Sequence, residues 1–145
     1  MGFNHGRSAI LVVMPVAVAG CIYILFRHES LLMFDWLHQL HLMPLVAELR
    51  TFTVPLGESL PGWIRFSLPD GLWLLSYLWF LRVVWADGPD KPLWAWTALG
   101  LVMSFGHELG QATGLIAGTF DWADVAAYLI ATVTAFSLRP GQSRT

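Results

Sequence analysis

Between Ser8 and Phe26 the chain carries no charged side chain, and three further apolar runs follow at about Pro69–Trp85, Pro92–Gly118 and Ala123–Leu138. The runs are continuous rather than alternating. A barrel strand with one lipid face would alternate with a period of two, so these segments read as helices. Runs of this length approach or reach what a helix needs to cross the hydrocarbon core, and the fourth lies near the lower limit. With 56% hydrophobic and 12% charged residues, the chain has about half the charge of an ordinary soluble domain. The expectation is an all-α integral membrane protein, a single helical membrane domain over residues 1–145. Its spans lie at about 8–26, 69–85, 92–118 and 123–138.

The segment between the first two spans is too polar to cross and too patterned to be plain loop. Leu31, Phe34, Leu37 and Leu40 recur at helical spacing among Asp35, His38, Gln39 and His41. This predicts an interfacial amphipathic helix over about 29–43, ended by Pro44. Pro55, Gly57 and Pro61 predict irregular structure over Thr51–Pro61. Ser67-Leu-Pro-Asp70 reads as a capping box that opens span two, with Asp in place of Glu. The stretch Asp87–Pro92 reads as a tight turn.

Orientation follows from Lys and Arg. With the N-terminus inside, Arg7, Arg82, Lys91, Arg139 and Arg144 fall on the cytoplasmic side. Arg27, Arg50 and Arg65 fall outside, spread over a much longer loop. The expectation is a multi-pass protein of the bacterial inner membrane with both termini cytoplasmic. Trp85, Trp94 and Trp96 would mark the inner interface, and Trp36, Trp63 and Trp122 the outer one.

Against this background the acids stand out. An ionisable group inside a membrane helix costs ~2.5–3.5 kcal/mol on insertion scales, so it marks a functional site by default. Glu108 and Gln111 lie ~60° apart around span three, ~15 Å and ~10 Å below its outer end. Asp70, Asp121 and Asp124 fall at the same surface. An outward-facing polar pocket of Glu108, Gln111, Asp121, Asp124 and Asp70 is the candidate ligand site. The competing reading has Gln111 bonding a neighbouring helix, Glu108 uncharged, and the aspartates acting as helix caps. Gly106, Gly110, Gly114 and Gly118 recur every four residues and read as a helix-packing stripe.

Other signals are thinner. His38, His41 and His107 are weak candidates for a metal site, but no HExxH pattern is present, and neither metal nor cofactor is expected. Val18-Ala-Gly-Cys21 fits a lipoprotein processing site, yet the apolar run continues through Phe26, so an ordinary span is favoured. The lone cysteine excludes an internal disulfide, and a formal net charge of -2 gives no nucleic-acid surface. No nucleophilic triad or phosphate loop is present. The catalytic residues, if there are any, are unassigned.

Glu108-x-x-Gln111 late in one helix, followed by Asp121 and Asp124 in an acidic segment, resembles the VanZ-like family. These are small bacterial membrane proteins named for a teicoplanin-resistance protein. The resemblance runs over about Leu68–Thr132. Tyr128 stands at the family's asparagine position and Ala131 at its glycine position. Gly118-Thr119 occupies the loop where the family usually has arginine. The resemblance implies an envelope protein that reduces the action of a lipid-II-directed glycopeptide, and it adds Tyr128 to the pocket. Three functions compete. The first is a VanZ-like pocket for a lipid-linked or small polar ligand. The second is an accessory subunit that packs against a membrane-protein partner or another copy of itself. The third, ranked last, is an intramembrane metal-dependent hydrolase. Membrane lipids are the expected surroundings.

Overall fold

The computed structural model describes residues 5–29 and 32–138, with the side chains of 5–7 left aside. Among the described residues the chain is all-helical. Its elements are α1 (His5–Phe26), α2 (Leu32–Gln39), α3 (Met43–Ser59), α4 (Gly62–Arg65), α5 (Ser67–Val84), α6 (Asp90–Ala112) and α7 (Trp122–Ser137). Leu31, Arg139, Arg144 and the side chain of Arg7 lie outside the described residues. Among the described residues one helix, α1, is long and apolar enough to cross a membrane, over Ser8–Phe26 with mean hydropathy 2.6. α7 is apolar but shorter.

Helix α5 is the centre of the molecule, packed between α1 and α7. Leu74, Leu78 and Trp79 of α5 meet Tyr128, Ala131 and Ala135 of α7, with Leu101 and Phe105 of α6 against the same core. Small residues set the spacing. A Cβ on Gly71 would stand 2.9 Å from the Ala127 side chain and 3.1 Å from its carbonyl oxygen, so only glycine admits this approach. On the other side, Ser76 donates to the Val12 carbonyl at 2.6 Å. That bond falls one turn before Pro15, whose missing N–H loosens the helix there. A neighbouring hydroxyl thus serves backbone groups near a proline inside an apolar helix.

The segment between α1 and α5 is more ordered than its prolines suggest. α2 ends at Gln39 in a Schellman turn: Leu42 N–H donates to Leu37 O, His41 N–H donates to His38 O, and His41 takes φ 56°. Pro44 therefore does not end the interfacial helix; it sits in the first turn of α3, where a missing N–H costs nothing. Thr51–Ser59 is helical rather than irregular, with Pro55 inside α3. Helix α3 holds the C-terminal end of α1. Arg50 donates to the Ile24 and Arg27 carbonyls at 2.7 and 3.0 Å, and Thr53 donates to Leu25 O at 3.3 Å. These bonds satisfy carbonyls that a helix end leaves open.

Span three also differs from its expected bounds. α6 stops at Ala112, six residues before Gly118. The cause is a second Schellman turn, in which Leu115 N–H donates to Gly110 O at 2.8 Å and Gly114 N–H donates to Gln111 O at 3.1 Å. Gly114 supplies the left-handed residue, φ 73°, that such a turn requires. The four-residue glycine repeat is therefore not one helical stripe. Gly114 and Gly118 lie in the loop, Gly106 has open space where a Cβ would stand, and Gly110 faces Ile116 from that loop. The glycines that fit helix to helix or helix to ring are Gly57 against Phe26, Gly71 against Ala127, and Gly100 against Tyr77.

The exterior is apolar. Val13 and Met14 of α1, Phe80 of α5, Val102 and Met103 of α6, and Ile130 and Val133 of α7 are all exposed, while Ser8, Ser67, Ser76, Thr97 and Glu108 are buried. Water-soluble domains place these classes the other way round.

Candidate functional site

The helices alternate in direction, so the C-terminal ends of α1 and α6 share one end of the molecule with the N-terminal ends of α5 and α7. Tyr23, Asp70, Glu108 and Asp124 are among the polar residues at those four ends. The Tyr23 hydroxyl donates to Asp70 Oδ1 at 2.8 Å. A hydroxyl bound to a carboxylate is among the stronger neutral-to-charged hydrogen bonds, and here it ties α1 to α5. Asp70 lies within electrostatic reach of Asp124, Arg27 and Glu108. Tyr128 lies within reach of Asp70, Glu108, Asp124 and Tyr23. Three carboxylates and two phenols from four helices thus form one interacting group.

Glu108 is 3% exposed, the most deeply buried acid in this group. Its Oε2 accepts a long hydrogen bond, 3.4 Å, from the Asp121 backbone N–H. Its Oε1 lies 3.6 Å from His107 Nδ1, an ion pair when that half-exposed imidazole is protonated. Glu108 therefore fastens the end of α6 to the start of α7. Asp124, in the first turn of α7, keeps Oδ1 buried with no hydrogen-bond partner among the described residues. A buried acceptor left open in this way is a position for an incoming donor.

The structure divides the acids expected in the pocket. Asp121 is the N-cap of α7, its side chain accepting from Ala123 N–H at 2.8 Å, and it is exposed. The cap reading holds for this residue. It does not hold for Asp70. The N-cap of α5 is Phe66, with no side-chain cap bond, so Ser67–Asp70 is not a capping box. The preceding turn, α4, runs into α5 with Phe66 N–H already bonded to Gly62 O, and Asp70 is left to face Tyr23. Gln111 folds its amide against Gly118, where φ of 137° and the missing side chain make room for it. It packs on the loop beside Glu108's helix end.

Two participants carry little signal in the sequence. Tyr23 is a single phenol in an aliphatic run, and Arg27 looks like an ordinary flanking charge. In the structure the Arg27 guanidinium lies 5.0 Å from the centroids of both the Tyr23 and Phe66 rings. It supplies a cation within reach of Asp70 from a distant part of the chain.

His38, His41 and His107 do not join a common site: among the described residues no three His, Cys, Asp or Glu side chains are gathered to hold a metal ion. Cys21 is exposed midway through the last turns of α1, and the helix continues past it to Phe26.

Comparisons with protein families, with curated proteins and with solved structures found no match to this chain.

Proposed function

We propose that this is a four-span membrane protein whose polar end binds a small polar or lipid-linked ligand at the outer face of a bacterial inner membrane, in the manner implied by its resemblance to VanZ-like proteins. α1, α5, α6 and α7 are the spans, α2 to α4 form the interfacial layer, and both termini lie in the cytoplasm. The apolar exterior around buried hydroxyls and a buried glutamate supports immersion in lipid. The observation that carries the ligand reading is the convergence of Asp70, Glu108, Asp124, Tyr23 and Tyr128 from four helices, with an open acceptor on Asp124. Carboxylates and phenols together offer acceptors for the hydroxyls or ammonium groups of a ligand, while Arg27 offers a cation for an anionic part.

Glu108→Gln and Asp124→Asn test the reading. Each should abolish protection against a lipid-II-directed glycopeptide while the protein still reaches the membrane at normal abundance. Full protection in both variants would sink it.

The exposed apolar face of α6, including Leu99, Val102 and Met103, favours a second reading as an accessory subunit. Isolation in mild detergent would then recover a stoichiometric partner, whereas a lone monodisperse chain would speak against it.

A further inference from the structure

A groove of about 300 Å³ runs along the seam of α5 and α7. Its walls include Leu72 and Leu75 from α5 and Ala126, Ile130 and Thr134 from α7, and none of Asp70, Glu108 and Asp124 lines it. The groove exists because Gly71 and Ala127 bring the two helices together with little side-chain bulk between them. Its chemistry changes at one end. There Trp63 and Ser67 line it, and Ser67 is 1% exposed with a hydroxyl that has no hydrogen-bond partner among the described residues. Two residues earlier, on the turn from α4 into α5, Arg65 has its Nε buried and likewise without a hydrogen-bond partner. One open donor, the Ser67 hydroxyl, thus lines the end of an apolar channel, and a cationic one stands on the adjoining turn, where the Arg65 guanidinium lies 5.2 Å from the Phe66 ring centroid. Buried donors are almost always satisfied, so an absent acceptor is the direct explanation.

The dimensions indicate what supplies that acceptor. The lining extends from Ser67 to Leu75 on α5 and from Ala123 to Thr134 on α7. At the helical rise this is about 12 Å and about 16 Å. Half of a ~30 Å hydrocarbon core, the depth of one leaflet, is the same length. Trp63 at the polar mouth suits the headgroup level, where indoles gather.

We infer that the α5–α7 groove holds one acyl chain of an anionic glycerophospholipid from the surrounding leaflet, its phosphate accepting from Arg65 and Ser67. The inference rests on the proposal that α5 and α7 lie in a bilayer. It concerns a lipid on the flank of the bundle, separate from the ligand at the carboxylate cluster. A free phosphate would satisfy the donors and leave the channel empty; a partner helix would cover the channel and leave the donors open.

The test uses the full chain in nanodiscs of phosphatidylcholine and phosphatidylglycerol, each lipid in turn carrying a photoactivatable acyl chain. Cross-linked peptides are then mapped by mass spectrometry. Labelling should concentrate on the groove residues of α5 and α7, with phosphatidylglycerol favoured over phosphatidylcholine. Arg65→Gln should reduce that preference about fivefold, as expected for one cation beside an anionic headgroup. Ala126→Phe, which fills the groove from an exposed position, should remove the groove label and leave the labelling of α6 unchanged. Should Ala126→Phe fail to fold, the wild-type map and Arg65→Gln still decide the matter. Even labelling of every exposed helical face, or a lipid preference indifferent to Arg65, overturns the groove while leaving membrane immersion intact. No label on α5, α6 or α7 overturns both.

Discussion

Helices α5 and α6 are neighbours and both largely apolar, yet the molecule uses them in opposite ways. α5 buries Pro69, Gly71, Leu74, Ser76, Leu78, Trp79 and Leu81 between two partners. α6, although longer, buries only Thr97, Glu108 and Gly110. Its remaining surface presents Leu99, Val102, Met103 and Leu109 outward. Apolar character alone therefore does not make a core helix. What distinguishes α5 is a glycine, Gly71, at its close approach to α7, and hydroxyls on Ser76 and Tyr77 that donate to the Val12 and Trp96 carbonyls of its neighbours. What distinguishes α6 is that its most buried side chain is a glutamate at the polar end. One helix organises the bundle, and the other delivers a carboxyl group to it while presenting an apolar face.

The sharpest way to break this contrast is an acid on the exposed face of α6. Val102→Asp should oppose insertion of that helix by about 3 kcal/mol near mid-span. A glycosylation-mapped insertion assay should detect a large loss of inserted product. Unchanged insertion would mean that the face of α6 does not meet lipid.

Next in size is Gly71→Val on α5. Its new side chain would press on the Ala127 backbone, which cannot move without shifting α7. Overpacking of this kind costs about 1–3 kcal/mol. Thermal unfolding in detergent should show the midpoint fall by several degrees; no fall would mean that α5 and α7 are less closely seated than described.

Tyr23→Phe removes the hydroxyl that ties α1 to Asp70. The expected loss is about 1–2 kcal/mol, since one partner is a carboxylate. Under the proposed function, protection against a lipid-II-directed glycopeptide should fall along with the unfolding midpoint. Adding Asp70→Asn should cost little more, because the two residues share one bond. Additive losses would argue that the pair does not act as a unit.

The smallest effect is expected at Gly106 of α6. Nothing stands within 4 Å of the position a Cβ would take there. Alanine should be neutral or stabilise the helix by up to about 1 kcal/mol through propensity alone. A clear destabilisation, or a change in oligomeric state on a sizing column, would show that another helix packs on this glycine.

Much of the outline was legible from residue order because apolar runs and end signals act locally. Ser8–Phe26 as a membrane-length helix and an apolar helix over about 69–85, close to α5, follow from hydropathy. The misreadings share a cause. Pro44 both can stop a helix and can start one, and the choice depends on the Schellman turn at His41, which has no glycine to announce it. Gly114 fits a helical repeat as well as it fits a helix-ending turn. The turn prevails because it satisfies two carbonyls at the end of α6.

By itself the sequence determined that the chain is helical and apolar, and that Asp70, Glu108, Asp121 and Asp124 lie near the ends of apolar runs. Those are properties of hydropathy and spacing, which need no knowledge of neighbours. Which acid is a cap and which is a tertiary partner was decided only when the helices packed. Asp121 is the N-cap of α7 and bonds that helix's own backbone, whereas Asp70, in the first turn of α5, is met by Tyr23 from α1. Arg27 joined the group in the same way, across a separation in sequence that no local pattern spans. Hydrogen bonds and charges are paired by distance in space, and only the folded bundle sets that distance.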